Sequence, residues 1–235
     1  MRIGFFGDSY IEGLSSQKWT WILCEKFGAD PNNCVNFAKG GSSLYYSYKN
    51  IKSYGNDFDM LIVTVPTDFR YPSKVFFESI NDHVHISNID TIEHLKTICD
   101  EQDNNKLEMI KQWMLMQPTD YSSDMHELML QDLERTKNLT LLPSFDTSFC
   151  RERKYSIPAH FNMAYLSRID KLSHGISAEM LSRYQENPNV FNHFSEEMHP
   201  IVANVIYKWI TNKVWNPPPY IETTNPKEFY WTKRI

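Results

Sequence analysis

The sequence lacks the features that would assign several large classes of protein. Its 235 residues contain only four cysteines, which lie far apart without a C-x-x-C pair, so we predict neither a disulfide framework nor a zinc site. We expect the four thiols to be reduced and buried. No stretch is apolar enough to span a membrane. The net charge of -5 argues against a dedicated nucleic-acid binder, which normally carries a basic patch.

If Met1 is the natural start of the chain, we expect no secretion signal. Such a signal needs basic residues and then an apolar run of about 7–15 residues, whereas a candidate active site already begins at Gly7. We therefore expect the protein to act in the cytoplasm where it is made, or to be released by lysis.

Glycine is also scarce, and no glycine-rich nucleotide loop is present. Gly4, Gly7 and Gly13 stand at the wrong spacing for the dinucleotide fingerprint G-x-G-x-x-G. The first strand leads instead into GDSYIEG, in which Ser9 either caps a helix or is a nucleophile at the carboxyl edge of a sheet. Ligand sites of parallel α/β sheets lie at that edge, which favours the nucleophile.

Short apolar strands alternate with helical patterns along the chain. This order predicts βαβ crossovers and a parallel sheet. One helix is predicted over Lys18–Gly28, where apolar residues recur at helical spacing and a glycine follows. The predicted strands are Arg2–Phe6, Cys34–Phe37, Met60–Val65 and Thr140–Pro143.

The remaining segments predict an insertion, a last helix and a tail within one domain over residues 1–235. Three apolar stripes indicate a helical insertion at about 71–138, interrupted by the polar break EQDNN and expected to pack beside the catalytic edge as a cap. The last helix is predicted to begin near His199, with Pro200 at its first position. The proline-rich, aromatic tail at about 213–235 is expected to extend along the surface or against a partner chain, with a homo-oligomer as one form.

The segments GDSYIEG and VNFAKGGSS, in this order, resemble the start of the SGNH (GDSL-type) hydrolase family. The resemblance implies a flavodoxin-like three-layer α/β/α sandwich with Ser9 as the nucleophile. It also implies that the backbone N–H groups of Ser9 and of Gly41, which follows Asn36 by five residues, form the oxyanion hole. The family's third block, G-x-N-D, departs here to VPTD, so the Thr67 hydroxyl stands in for the asparagine amide.

The last block of the family supplies the histidine base, and two histidines of NHFSEEMHP compete for that role. His193 fits better, because Ser195 and Ala203 follow it at the family's spacing. His199 is then a supporting residue. Val190 occupies the position of the orienting aspartate, so a backbone carbonyl or another carboxylate must take its place. Candidate acids and supporting residues are Asp8, Glu186, Glu196 and His199.

The resemblance implies a serine esterase that hydrolyses short-chain or acetyl esters, with carbohydrate as one carrier of the acyl group. It implies no metal and no organic cofactor. Two other functions stay open: an acyltransferase on the same fold, and a binding or structural module without catalysis. The expected partner is a small-molecule or carbohydrate ester, and neither nucleic acid nor a membrane.

Overall fold

The structure is a computed structural model, and it describes most of the first 144 residues and the last helix. The described residues are 1–66, 73–86, 89–117, 121–144, 163, 166–167, 194 and 196–213. Among the helices in these ranges, none combines the length and the apolar character needed to cross a membrane. The tail beyond residue 213 lies outside the described residues.

Four parallel strands form the central sheet, in the spatial order β2-β1-β3-β6. Counted within the sheet alone, this order is 2-1-3-4, which is the start of the flavodoxin-like doubly wound arrangement. A separate antiparallel hairpin pairs β4 with β5. The strands are β1 (Ile3–Phe6), β2 (Val35–Asn36), β3 (Met60–Val65), β4 (Ser73–Phe77), β5 (Asp82–Ile86) and β6 (Leu139–Pro143).

Helices cover both faces of the sheet. On one face, helices α1 and α6 pack together over an apolar core, and on the other, helices α2 and α5 pack over a second core. The helices are α1 (Trp19–Lys26), α2 (Leu44–Tyr54), α3 (Ile89–Lys96), α4 (Glu101–Leu115), α5 (Tyr121–Leu133) and α6 (Met198–Asn212).

The residue pattern of β3 explains the three layers. Successive side chains of a strand point to opposite faces of the sheet. Leu61 and Val63 belong to the core beneath α2 and α5, whereas Ile62 between them belongs to the core beneath α1 and α6. A strand buried on both faces needs a continuous apolar run, and MLIVTV supplies one. The predicted three-layer α/β/α fold with a parallel sheet is confirmed.

The segment after β3 differs from a purely helical insertion. It begins with the β4–β5 hairpin, which packs with α3 and α4 around an apolar core of its own. The predicted polar break EQDNN is the first turn of α4, because the Asp100 side chain caps that helix by accepting the Asp103 N–H. Asp103 is buried, and the Lys106 ammonium together with Ser79 lowers the pKa of its carboxyl to about 2. The bounds of 71–138 for the insertion stay a prediction.

Two helices differ from their predictions: α5 in the face that it buries, and α6 in the residue at which it begins. The sequence predicts an apolar stripe of Met125, Leu128, Met129 and Leu133 in α5. Of these, Leu133 is buried together with His126 and Leu130, whereas Leu128 is 59% exposed. The α6 helix begins at Met198, so Pro200 is its third residue rather than its first. A proline remains acceptable there, because the first turn of a helix makes no intrahelical N–H bonds.

The described cysteines are free thiols, with Cys24 and Cys34 buried and Cys99 half-buried. Burial, and after it the neighbouring Cys34 thiol, raises the pKa of the Cys24 thiol well above its ordinary value. The expected burial is confirmed for Cys24 and Cys34. Cys150 lies outside the described residues.

Candidate active site

Ser9 lies just beyond the carboxyl end of β1, three residues after the strand ends at Phe6. Because the chain leaves β1 for β2 on one side and returns to β3 on the other, the strand order reverses at this point. Crevices at such reversals are where α/β sheets of this kind bind ligands. Ser9 is half-buried, while the neighbouring Asp8 and Tyr10 are buried.

A two-way pairing with Thr64 of β3 fixes the backbone on the N-terminal side of Ser9. The Thr64 hydroxyl accepts the Asp8 N–H at 3.0 Å and donates to Asp8 Oδ1 at 3.1 Å. Asp8 Oδ1 also accepts the Tyr10 N–H at 3.2 Å. The Asp8 carboxylate, which the sequence offered as a supporting residue, is therefore a buried acceptor that holds the turn carrying Ser9.

The close approach of β1 and β3 here requires glycine at position 7. Gly7 has a φ of +140°, and a Cβ built on it would lie 1.9 Å from Thr64 Oγ1. Neither the backbone conformation nor the space admits a side chain.

Gly7→Ala should therefore strongly destabilise the fold. Overpacking costs about 1–3 kcal/mol, and a glycine-only backbone conformation adds about 1–3 kcal/mol. Urea unfolding monitored by circular dichroism measures the sum. Gly28→Ala is the matched control, because Gly28 has a φ of +66° but nothing within 4 Å of the added Cβ. Equal losses of unfolding free energy in the two variants would contradict the contact with Thr64.

The loop after β2 forms a tight turn against the same segment. Lys39 C=O accepts the Ser42 N–H at 3.1 Å, and Gly41 has a φ of +72°. These are the features of a type II turn, whose third residue needs a positive φ. The Gly7 carbonyl accepts both the Lys39 N–H and the Ser42 hydroxyl, each at 3.0 Å. The backbone just before Ser9 and the turn that contains Gly41 are thus joined directly.

Two further side chains connect these segments. Asn36 donates from Nδ2 to the carbonyls of Ile11, at 2.6 Å, and of Gly13, at 2.9 Å. Glu12, between those two residues, accepts the Gly40 N–H with Oε2 at 3.0 Å. Asn36 appears in the sequence as a motif residue, and its role here is to hold the loop that follows Ser9 against the end of β2.

A small cleft beside Ser9, with room for about one water molecule, is lined by aromatic and polar side chains. The Phe194 ring packs on the Tyr10 ring, with 6.0 Å between centroids. Phe194 immediately follows the predicted base His193 in the sequence, so the chain reaches the Ser9 cleft within one residue of that histidine. The described lining residues are Ser9, Tyr10, Glu12, Lys18, Trp19, Thr20, Phe194 and His199.

His199 reaches the cleft, but its ring is engaged with helix α1. His199 Nδ1 accepts the Trp19 N–H at 3.3 Å. Trp19 is the first residue of α1, and the Lys18 cap residue provides no side-chain bond. His199 therefore satisfies one of the N–H groups that a helix start leaves without an intrahelical partner. A neutral imidazole that accepts at Nδ1 carries its proton on Nε2, so in this state it has no lone pair for the Ser9 proton.

Four other residues were predicted for the site, and the structure describes one of them, Glu196. Glu196 is exposed two residues before α6. His193, Thr67 and Glu186 lie outside the described residues, so their roles stay predictions. Within the described ranges, no three His, Cys, Asp or Glu side chains converge as they would around a metal ion.

Two residues of the site were not identified from the sequence. Glu12 contacts a residue 28 positions away, and Thr64 contacts one 56 positions away. The only sequence signal for Thr64 was a single polar residue within the apolar run of β3. For Glu12, the signal was its place within GDSYIEG, which specifies no partner.

Comparisons with known proteins find distant structural likenesses and no sequence match. No protein-family model matches the chain, and no curated protein sequence matches it. A lipase/acylhydrolase from Enterococcus faecalis is similar in structure, with 13% identity and a TM-score of 0.37 over 92% of this chain and 98% of that chain. The acetyl xylan esterase AlAXEase is 13% identical, with a TM-score of 0.34 over 89% of this chain and 98% of that chain. Likenesses at these TM-scores carry no argument about function.

Proposed function

We propose that this protein is a serine hydrolase that cleaves short acyl esters through an acyl-enzyme on Ser9. One observation carries the proposal. A half-buried serine stands at the carboxyl end of β1, where the strand order reverses, within a cleft and beside a turn rich in glycine. Ser9 does not cap the helix that follows, because α1 begins ten residues later at Trp19 with Lys18 at its N-cap position.

The surroundings of Ser9 support a role as nucleophile. The hydrogen bonds of the Asp8 and Tyr10 N–H groups fix the backbone on both sides of Ser9, which lowers the entropy cost of bringing the serine to a substrate. In the Lys39–Ser42 turn, the N–H groups of Lys39, Gly40 and Ser42 already donate within the protein, so the Gly41 N–H is the one proposed to face the substrate. Backbone N–H groups aimed at developing negative charge are the usual means of stabilising an acyl-transfer transition state.

The proposed reaction follows the general serine hydrolase scheme. His193 takes the Ser9 hydroxyl proton as Ser9 Oγ attacks the ester carbonyl carbon. The N–H groups of Ser9 and Gly41 and the Thr67 hydroxyl donate hydrogen bonds to the resulting oxyanion. The tetrahedral intermediate collapses, and the alcohol leaves with the proton from His193. Water, deprotonated by His193, then attacks the acyl-enzyme and releases the acid and the free serine.

The chemistry of the cleft supports a small acyl group on a polar carrier such as a carbohydrate. The exposed Glu12 and the half-buried Lys18 bring charged groups to the lining, while Tyr10, Trp19 and Thr20 of the same lining are almost fully buried. A long alkyl chain would have to displace water from these charged groups without compensation, which is costly. Hydroxyl groups of a sugar would instead find donors and acceptors.

A fluorophosphonate probe and a series of esters test the proposal. We expect the probe to label wild-type protein covalently on Ser9, and kcat/KM to fall from acetyl to butyryl to octanoyl esters of the same alcohol. Repeating the assay with acetylated xylo-oligosaccharides as substrates tests the carbohydrate carrier.

Two outcomes of these assays would contradict the proposal. Folded protein that neither labels nor turns over any ester would be a binding or structural module. Transfer of the acyl group to an added sugar, with little release of free acid, would identify an acyltransferase instead.

A further inference from the structure

We propose that Glu12 is a positioning residue for the oxyanion hole, and this inference rests on the proposed function. Glu12 Oε2 accepts the N–H of Gly40, the residue before Gly41, at 3.0 Å. Through this bond, Glu12 fixes the turn whose next N–H is the proposed oxyanion donor. In this role, Glu12 exchanges no proton and forms no covalent bond with the substrate.

The turn needs such a support because two consecutive glycines form its centre. Glycine populates more backbone conformations than any other residue. The Lys39 N–H and the Ser42 hydroxyl fix the two ends of the turn on the Gly7 carbonyl. Glu12 adds a bond at Gly40, between those ends. Removal of its side chain leaves the Gly40 N–H to water and removes the bond that fixes the Lys39–Gly40 peptide, from which the peptide carrying the Gly41 N–H continues.

Glu12 is itself held in place from both sides. The Asn36 amide donates to the carbonyl before Glu12, at Ile11, and to the carbonyl after it, at Gly13. Asn36 Oδ1 in turn accepts the Ala38 N–H at 2.9 Å, just before the glycine turn. Asn36 therefore fixes the Glu12 backbone relative to the turn, independently of the hydrogen bond between the Glu12 carboxylate and the Gly40 N–H. An acceptor on a fixed backbone can set the place of its donor.

The contact lies beside the nucleophile. A Cβ built on Gly40 would lie 2.8 Å from Glu12 Oε2 and 3.8 Å from Ser9 Cβ, and Glu12 and Ser9 both line the cleft. A negative charge so close to a developing oxyanion opposes it. Glu12 is therefore useful here as a hydrogen-bond acceptor and not as a charge. Glutamine has the same length and keeps an acceptor oxygen without the charge, so the two roles can be separated.

The experiment compares Glu12→Ala with Glu12→Gln on one activated acetyl ester. For Glu12→Ala we expect kcat to fall roughly ten- to a hundredfold with little change in KM, because an oxyanion donor is misplaced. Glu12→Gln should stay close to the wild-type kcat. A thionoester of the same acyl group adds a second measurement, since its sulfur is a weaker acceptor for oxyanion-hole donors. The preference for the oxoester over the thionoester should fall in Glu12→Ala and persist in Glu12→Gln.

Glu25→Ala is the matched control. Glu25 is an exposed carboxylate that also accepts a single hydrogen bond, from Trp21 Nε1, but it lies on α1 outside the cleft. Its kcat should equal that of the wild type. A wild-type kcat in Glu12→Ala would overturn the inference, as would equally low values for Glu12→Ala and Glu12→Gln. If wild-type protein neither labels with a fluorophosphonate nor turns over esters, the proposed function fails, and this inference fails with it.

Discussion

Replacing Ser9 by alanine should abolish ester hydrolysis and fluorophosphonate labelling while the protein stays folded. Without the hydroxyl no acyl-enzyme can form, and loss of a catalytic serine lowers kcat by on the order of 10³-fold or more. The fold should tolerate the change, because Ser9 is half-buried and lies beyond the end of β1 rather than in either core. Initial rates on an acetyl ester measure the loss, and circular dichroism with a thermal scan verifies the fold.

Ser16→Ala provides the control for this substitution. Ser16 is exposed in the loop that leads to α1 and lies outside the described cleft lining, so its variant should keep the wild-type kcat. A folded Ser9→Ala protein that retains more than a few per cent of wild-type activity would rule out the serine mechanism. The hydrolysis would then need another nucleophile.

Replacing His193 by alanine should lower kcat by about 10²–10⁴-fold, which is the usual contribution of a general base. The prediction rests on the spacing of His193 to Ser195 and Ala203. It is supported by the position of the next residue, Phe194, whose ring packs on Tyr10 in the Ser9 cleft. The measurement is kcat/KM for His193→Ala on the same acetyl ester, with circular dichroism to verify folding.

His199→Ala is the comparison that decides between the two histidines. Its ring accepts the Trp19 N–H and contacts the Phe194 ring edge-on, with 5.9 Å between centroids. Loss of this contact should lower the Tm, because the start of α1 loses a hydrogen-bond partner. The kcat of the folded protein should fall far less than in His193→Ala. If His199→Ala is inactive and His193→Ala is nearly normal, His199 is the base and Glu196 becomes the candidate acid.

The sequence was sufficient to predict the fold because each strand is indicated by its own short run of residues. The apolar run MLIVTV defines a strand buried on both faces without knowledge of any partner, and β3 has the predicted bounds. The place of Ser9 follows from the same kind of evidence, since a residue just after a parallel strand lies at the binding edge of the sheet.

Features that depend on distant partners could not be predicted in this way. The face of α5 that is buried depends on its packing against α2, so apolar spacing alone did not distinguish Leu130 from Leu128. The polar run EQDNN indicated a break, but a side-chain cap makes such residues suitable for a helix start. Glu12 and Thr64 acquire their roles only when β1, β2 and β3 come together.

The separate apolar core of the β4–β5 hairpin with α3 and α4 has a consequence for how this protein can evolve. Phe77, Ile86 and Leu107 bury against one another, and they belong to neither core of the sheet. Among the described residues, substitutions in that core need compensation mainly from each other, since residues without shared contacts act nearly independently on stability. The unit can therefore change its surface, and even its length, at a rate of its own, while the residues around Ser9 remain under the constraints of the sheet.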